Sequence, residues 1–214
     1  MVVEPVSPVV LVERLVELVA SLEVGRRWRI AIDGAPPVRP DELADALVDP
    51  LRAVGRPVVR VRADDFLRPA SLRWEFGREN PDAYFDDWLD LAALSREVLA
   101  PFGPGGSGRY LPSLRDPVTD RSTRAGRIQA ADSAVLLLTG SLLLGRGLDL
   151  DRTVHLAVRP DTLRRRTPPP DRWRLPAFAR YDDDVDPERA ADVVVRVDDA
   201  RHPAILGDRG AARR

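Results

Sequence analysis

The sequence contains no cysteine and no lysine among its 214 residues. The absence of cysteine excludes disulfide bonds, thiolate zinc sites and a cysteine nucleophile. Because all 33 basic residues are arginine, any mechanism that needs a lysine ammonium group is excluded as well. Long apolar runs are also missing, and no basic leader precedes one at the start of the chain. We therefore expect a cytoplasmic protein without a membrane span.

Neither sign of charge is in excess, since the chain has 33 basic and 34 acidic residues and its formal net charge is -1. A chain with so little net charge has no global field to draw it to nucleic acid or to an anionic membrane, so neither is expected as a partner. Apolar residues make up 44% of the chain and charged residues 31%, which is typical of a folded globular domain. The sequence leaves open whether the chain forms a homo-oligomer.

Apolar runs and helical patterns alternate along the chain. Short apolar runs predict strands at 28–32, 57–61, 134–138, 153–158 and 191–195. Helical spacing and helix-stop signals predict helices at 7–22, 41–54, 91–99 and 160–167. Strands that alternate with helices indicate a parallel sheet covered on both faces. We expect an N-terminal amphipathic helix within residues 1–25, one α/β domain at 26–206 and a flexible tail at 207–214.

Five segments in order resemble those of uridine kinases, a family of P-loop nucleoside kinases. Ile32-Asp33-Gly34 ends a strand and leads by a short loop into a helix, which is where a phosphate loop belongs. The other segments are 60–66, 80–86, 135–140 and 186–195, and the likeness covers roughly residues 26–200. The resemblance implies a three-layer α/β fold of the P-loop NTPase type, with a mostly parallel sheet and helices on both faces. The alternative is a generic Rossmann-like domain in which these segments are ordinary turns.

The resemblance also implies roles for particular residues. Asp64 matches the catalytic carboxylate of the family's Asp-x-Phe segment and would act as the general base; a capping carboxylate at a strand end is the alternative. The substrate-pocket candidates, of which the aromatic ones could equally be core residues, are Asp65, Phe66, Tyr84, Phe85 and Asp86.

A lid is implied at about 160–180, where a helix meets a run of three prolines. Arg164, Arg165 and Arg166 stand where the lid of the family begins, and lid arginines clamp the transferring phosphoryl group. An arginine-rich helix end also complements the helix dipole, which is the structural alternative.

The phosphate-loop pattern G-x-x-x-x-G-K-[ST] is broken in this sequence. Counting from Gly34, the residues Arg39, Pro40 and Asp41 stand where the pattern has Gly, Lys and Ser or Thr. Arg39 puts a side chain into the tight turn, and Pro40 removes both the lysine charge and one backbone N–H. Asp41 adds a carboxylate beside the phosphates, at a cost of roughly 4 kcal/mol per like-charge pair at about 4 Å before screening. We also predict Asp41 as the N-cap of the following helix.

A second feature of the family is changed at the end of a later strand. The resemblance implies a Glu-Gly pair that helps to organise magnesium, and Thr139-Gly140 stands there instead. His155 and His202 have no partner spacing that suggests a metal, so both are interpreted as structural and no metal site is predicted.

Three functions are left open by these observations. The first is a degenerate uridine-kinase-like protein, a pseudoenzyme that transfers phosphate poorly but binds a nucleoside or another small molecule. The second is an active nucleoside or small-molecule kinase with an unusual phosphate loop, and only this function requires Mg-ATP as a cofactor. The third is a regulatory or structural scaffold subunit that uses the fold alone.

Overall fold

A computed structural model describes residues 3–206 of the chain. The tail predicted at 207–214 lies outside these residues. Within the described range, no helix is both long and apolar enough to cross a membrane.

Within residues 3–206, seven strands form a central sheet and two form a small separate one. The nine strands are β1 (Val3–Pro5), β2 (Trp28–Asp33), β3 (Val58–Arg62), β4 (Arg109–Tyr110), β5 (Ile128–Gln129), β6 (Val135–Gly140), β7 (Arg152–Ala157), β8 (Val193–Arg196) and β9 (Ala204–Leu206). The order in the central sheet is β1-β9-β8-β7-β2-β6-β3. The five strands from β8 to β3 are parallel, and β9 and β1 extend this sheet in antiparallel pairing. The prediction of a mostly parallel sheet is confirmed.

Strand β2, the middle one of the five parallel strands, determines the position of the loop that follows Asp33. All six of its residues are buried, because helices cover both faces of this parallel strand, and they include the charged residues Arg29 and Asp33. At its carboxyl end, Asp33 is in register with Gly140 of β6 and with His155 of β7. Because the chain crosses to opposite sides from β2, the loop after Asp33 lies at the point where ligands bind in open α/β sheets.

The helices are α1 (Pro8–Ala20), α2 (Pro40–Ala53), α3 (Ala70–Arg73), α4 (Pro81–Asp86), α5 (Leu91–Leu94), α6 (Ala100–Phe102), α7 (Pro160–Arg166), α8 (Leu175–Val185) and α9 (Pro187–Ala190). A π-helical segment, Ser95–Leu99, joins α5 to α6. Short 3₁₀ turns form at Pro36–Val38, Ala63–Phe66 and Pro169–Arg174.

Helices cover both faces of the sheet and make three layers. On one face, α1 and α2 share a buried cluster with alternate sheet residues such as Ile30 and Leu137. On the other face, α5 and α6 share a cluster with the intervening residues, among them Leu136, and α8 continues this layer over β7 and β8. Phe102 and Leu136 are 1% and 0% exposed, and full burial of such a side chain contributes roughly 1.5–3 kcal/mol.

The elements that were not predicted include the small β4–β5 sheet, four short helices (α3, α4, α6 and α9), the antiparallel edge of the central sheet and helix α8. The antiparallel edge made by β1 and β9 consists of three-residue strands whose pairing joins the two ends of the described chain. Helix α8 follows the proline run with only a 3₁₀ turn between them, and its own proline lies in the first turn, where no backbone N–H is needed.

Candidate functional site

The loop that follows β2 is a tight 3₁₀ turn. Its backbone N–H groups offer little to a ligand, because Pro36, Pro37 and Pro40 have none. The N–H of Val38 donates to the carbonyl of Ala35 at 2.9 Å, and the N–H of Arg39 donates to the carbonyl of Pro36 at 3.1 Å. The turn is therefore closed by its own hydrogen bonds.

Gly34 is required at the start of this loop for steric reasons. A Cβ atom there would lie 2.9 Å from Cγ2 of Val38 and 3.0 Å from Cβ of Leu156. Only glycine lets the turn pack this closely against β7.

Arg39 rather than Asp41 occupies the N-cap position of α2. Arg39 is in the left-handed region, with φ 58° and ψ 59°, and Pro40 follows as the first helical residue. The prediction of Asp41 as N-cap is wrong. Proline is favoured as the first residue of a helix, and α2 therefore begins at Pro40, one residue before Asp41. The Arg39 side chain is exposed and pairs with Glu42 at 3.1 Å.

Asp41 instead points to the ends of β3 and β6, where it is surrounded by donors. The hydroxyl of Thr139 hydrogen-bonds the Asp41 carboxylate. Nη2 of Arg60 lies 3.4 Å from this carboxylate and Nε of Arg62 lies 3.3 Å from it. Two guanidinium groups therefore neutralise the acid that stands at the predicted hydroxyl position of the phosphate loop. Sequence reasoning missed both arginines, although they alternate along β3 directly before Asp64.

Asp64 lies in the 3₁₀ turn after β3, at the other side of Arg62. Arg62 Nη2 is 4.0 Å from its carboxylate, and the side chain is still 56% exposed. Desolvation by burial raises the pKa of Asp64, Arg62 opposes this rise, and the charge of Asp41 adds to it. Desolvation also raises the pKa of Asp65.

Asp65 and Phe66 fix this turn to the rest of the molecule. The carbonyl of Asp65 accepts hydrogen bonds from the N–H groups of Leu114 and Arg115, both at 2.9 Å. These bonds attach the loop that follows β4 to the turn. Phe66 is 0% exposed and belongs to the core beneath the turn.

The three candidate residues of the segment at 80–86 have different surroundings. Tyr84 lies in an aromatic cluster, whereas Phe85 is buried and Asp86 is exposed and pairs with Arg180 of α8 at 2.8 Å. The ring centroid of Tyr84 is 5.1 Å from that of Trp88 and 5.7 Å from that of Trp173. Desolvation by burial raises the pKa of Tyr84 to about 12.

Arg174 completes this aromatic cluster. Its Cζ lies 5.3 Å from the Tyr84 ring centroid, 5.5 Å from that of Trp88 and 5.1 Å from that of Trp173. Nε of Arg174 and Nε1 of Trp88 are both buried, and neither hydrogen-bonds any group of residues 3–206. The sequence offered no local signal for Trp88, Trp173 or Arg174, because they come together only when the lid region folds back over α4.

The three predicted lid arginines do not act together. Arg164 and Arg165 are exposed on α7, and Arg165 donates to the hydroxyl of Thr162 at 3.1 Å. Arg166 donates to the carbonyls of Val197 and Asp198, both at 2.8 Å. A pocket of about 390 Å³ separates the phosphate-loop position from the lid region, and its lining includes Pro36, Pro37, Arg39, Arg166, Asp171, Arg174 and Phe178.

The two histidines have different surroundings. Nδ1 of His155 lies 2.7 Å from Oδ2 of Asp33, and both side chains are buried. His202 is exposed and its Nδ1 lies 3.0 Å from Asp199. Within residues 3–206, no three side chains of the metal-ligating types form a group that could hold a metal ion.

The sheet order and the position of the loop after β2 match the fold of solved P-loop kinase-like structures. The structure of a possible uridine kinase from Bacillus stearothermophilus superposes with a TM-score of 0.70 and 20% identity, covering 86% of this chain and 96% of that one. A putative fructose transport system kinase from Silicibacter sp. TM1040 matches with a TM-score of 0.56 and 21% identity, over 75% of this chain and 79% of that one.

The YGR205w protein also shares the fold, with a TM-score of 0.54 and 9% identity over 92% of this chain and 99% of that one. No protein-family model matches the sequence, and a search of curated proteins finds no match. At these identities the similarity establishes the fold alone. It confirms the predicted α/β P-loop kinase-like fold.

Proposed function

We propose that this chain is a uridine-kinase-like P-loop protein that has lost efficient phosphoryl transfer and retains a cleft for a nucleoside or a small molecule of similar shape. The observation that carries the proposal is the network around Asp41. Arg60, Arg62 and Thr139 occupy the acceptor sites of a carboxylate placed where the P-loop pattern has its metal-binding hydroxyl.

Mg-ATP does not fit the residues at the phosphate-loop position. The loop contributes few free N–H groups, because three of its residues are prolines and two others donate within the turn. No lysine exists in the chain to reach the phosphates. A magnesium ion next to Asp41 would have to displace two guanidinium groups, and like charges disfavour the exchange. No step of phosphoryl transfer is derived for this site.

The aromatic cluster beside Asp64 supports the retained cleft. Tyr84, Trp88 and Trp173 present rings on which a flat heterocycle or the apolar face of a sugar can stack. Buried donors are nearly always paired. Acceptor oxygens of a bound ligand would therefore satisfy the buried N–H groups of Trp88 and Arg174. The carboxyl of Asp64, with its raised pKa, can exchange hydrogen bonds with ligand hydroxyl groups on the same side.

Thermal unfolding with and without ligand tests the proposal. Each ligand at about 100 times its dissociation constant adds roughly 2.7 kcal/mol to the stability of a protein that binds it. We expect the native chain to respond to uridine but not to Mg-ATP. We expect a variant with Arg39→Gly, Pro40→Lys and Asp41→Thr to respond to Mg-ATP, and the single variant Asp41→Thr, which restores only the hydroxyl, to serve as its matched control.

Each remaining outcome selects another function. A strong response of the native chain to Mg-ATP contradicts the expected absence of ATP binding at the altered loop and supports an active kinase with an unusual loop. A native chain that responds to neither ligand refutes the retained nucleoside cleft and favours a scaffold. A uridine response that Tyr84→Ala leaves unchanged would place the nucleoside elsewhere.

A further inference from the structure

The pocket of about 390 Å³ between the loop after β2 and the lid region has several apolar residues in its lining. Pro36 and Pro37 belong to the loop. Pro168 stands directly before the 3₁₀ turn of the lid region, and Phe178 lies on α8. Because the three prolines have no backbone N–H, these residues offer hydrocarbon surface rather than main-chain donors to a molecule in the pocket.

The same lining contains four charged side chains, three of them arginines. Two of the arginines have carboxylate partners. Arg39 pairs with Glu42 at 3.1 Å, and Nη2 of Arg174 lies 3.4 Å from Oδ1 of Asp171. The charges of these two arginines are therefore balanced by their own neighbours.

Arg166 is the third arginine of the lining, and its partners are main-chain carbonyls. Its Nη1 and Nη2 donate to the carbonyls of Val197 and Asp198, both at 2.8 Å. The Asp198 carboxylate accepts the backbone N–H of Arg159 instead, and Arg166 forms no ion pair with any carboxylate of residues 3–206. The carbonyl contacts hold the guanidinium in place without neutralising its charge. Two of its five N–H groups are used, so three remain for a ligand.

We propose that this pocket binds a small organic monocarboxylate, whose carboxylate pairs with Arg166 and whose apolar part lies against the proline rings and Phe178. One unbalanced guanidinium matches one negative charge, and a flat carboxylate fits the parallel N–H groups of a guanidinium. A cation is disfavoured by the same unbalanced charge.

A phosphate monoester fits this pocket less well than a carboxylate does. Its second negative charge would have no unbalanced partner in the lining, and the proline-rich walls supply few of the backbone N–H groups that phosphates accept. The proposed carboxylate site is an addition to the nucleoside cleft and does not depend on it, because its charged contact is Arg166 rather than the aromatic cluster around Tyr84.

Isothermal titration calorimetry of the full chain tests the class of ligand. The probe is sodium 3-phenylpropionate, and the matched control is 3-phenylpropionamide, which has nearly the same shape and no charge. We expect saturable binding of the acid, and an affinity roughly tenfold lower for the amide because the charge-assisted hydrogen bonds to Arg166 are lost. Phenyl phosphate should bind more weakly than the acid. Uridine is absent from these titrations, so failure of the nucleoside cleft would not affect their result.

Two substitutions at Pro168 test whether the acid lies in this pocket. Pro168 is exposed and is the N-cap of the turn at Pro169–Arg174. Aspartate and asparagine are both favoured at N-caps, so both variants should fold. Pro168→Asp adds a negative charge to the lining and should bind 3-phenylpropionate roughly threefold to tenfold less tightly than Pro168→Asn does.

Arg166→Gln removes the proposed partner of the carboxylate and should weaken binding of the acid roughly tenfold. Arg189→Gln removes the same charge from an exposed residue of α9 outside the pocket lining and is the matched control. The proposal is overturned by an absence of saturable binding, by equal affinities for the acid and the amide, or by equal affinities of the two Pro168 variants. Equal losses from the two arginine substitutions, or tighter binding of phenyl phosphate than of the acid, would overturn it as well.

Discussion

Removing the hydroxyl group of Tyr181 should destabilise the protein far more than removing one oxygen atom from a surface tyrosine would. Tyr181 is 2% exposed, and its hydroxyl accepts the N–H of Leu144 at 2.8 Å and donates to Asp33 at 3.2 Å. In Tyr181→Phe, the N–H of Leu144 stays buried and loses its acceptor, and Asp33 loses one of three partners. A buried donor without a partner costs about 1–3 kcal/mol.

We therefore expect Tyr181→Phe to lower the free energy of unfolding by about 2 kcal/mol. For a chain of this length, that loss corresponds to a fall of roughly 4–8 °C in Tm. Urea denaturation followed by circular dichroism measures the free energy, and a thermal scan measures Tm.

Tyr110→Phe is the matched control for this experiment. Tyr110 is 6% exposed, but its hydroxyl makes no hydrogen bond with any group of residues 3–206, so its removal should change stability by less than about 0.5 kcal/mol. If the two variants lose the same stability, the hydrogen bonds of Tyr181 contribute nothing and the reasoning fails. If Tyr181→Phe alone is destabilised, the buried network around Asp33 is a true part of the native structure.

Three further predictions concern the loop after β2 and the turn after β3. Gly34→Ala should cost about 1–3 kcal/mol by overpacking against Val38 and Leu156, and urea denaturation that shows no loss would contradict the tight turn. Phe66→Ala should cost about 3–5 kcal/mol because the ring is fully buried, whereas Phe66→Leu should leave uridine affinity unchanged if the ring is core rather than pocket. The raised pKa of Asp64 means that the folded state binds its proton more tightly than the unfolded state does. Native stability should therefore fall as pH rises from the ordinary aspartate pKa of about 4 through the raised value. In unfolding experiments, the stability of the Asp64→Asn variant should fall less over this pH range than that of the native chain. An equal fall would show that other groups cause the pH dependence.

Local pattern was sufficient for the main elements of the fold. The apolar run at 134–138 predicted β6, which the structure gives as Val135–Gly140. The helical spacing predicted a helix over 7–22, which the structure gives as Pro8–Ala20 with Ser7 as its N-cap. These signals are short-range, because side-chain periodicity and capping depend on neighbours within a few residues. The order of such segments also indicated the P-loop kinase fold before any coordinates were known.

The candidate site was predictable only in part. The altered residues at 39–41 were found because the phosphate-loop pattern fixes their spacing from Gly34, and Asp64 was found because its segment resembles the Asp-x-Phe segment of uridine kinases. The partners of Asp41 were missed because Arg60 and Arg62 lie on β3 and contact this residue of α2 only in the folded chain. The wrong assignment of Asp41 as N-cap has a local cause, because Pro40 moved the helix start.

The sequence by itself determined the five parallel strands and four of the helices, their order, and the departure of residues 39–41 from the phosphate-loop pattern. The tertiary structure alone decided which side chains meet. Asp33 lies 122 residues from His155 and 148 from Tyr181 along the chain, and only the register of β2 against β7 and the packing of α8 bring them together. Long-range pairing depends on the whole sheet assembling at once, so no local pattern of residues reports it.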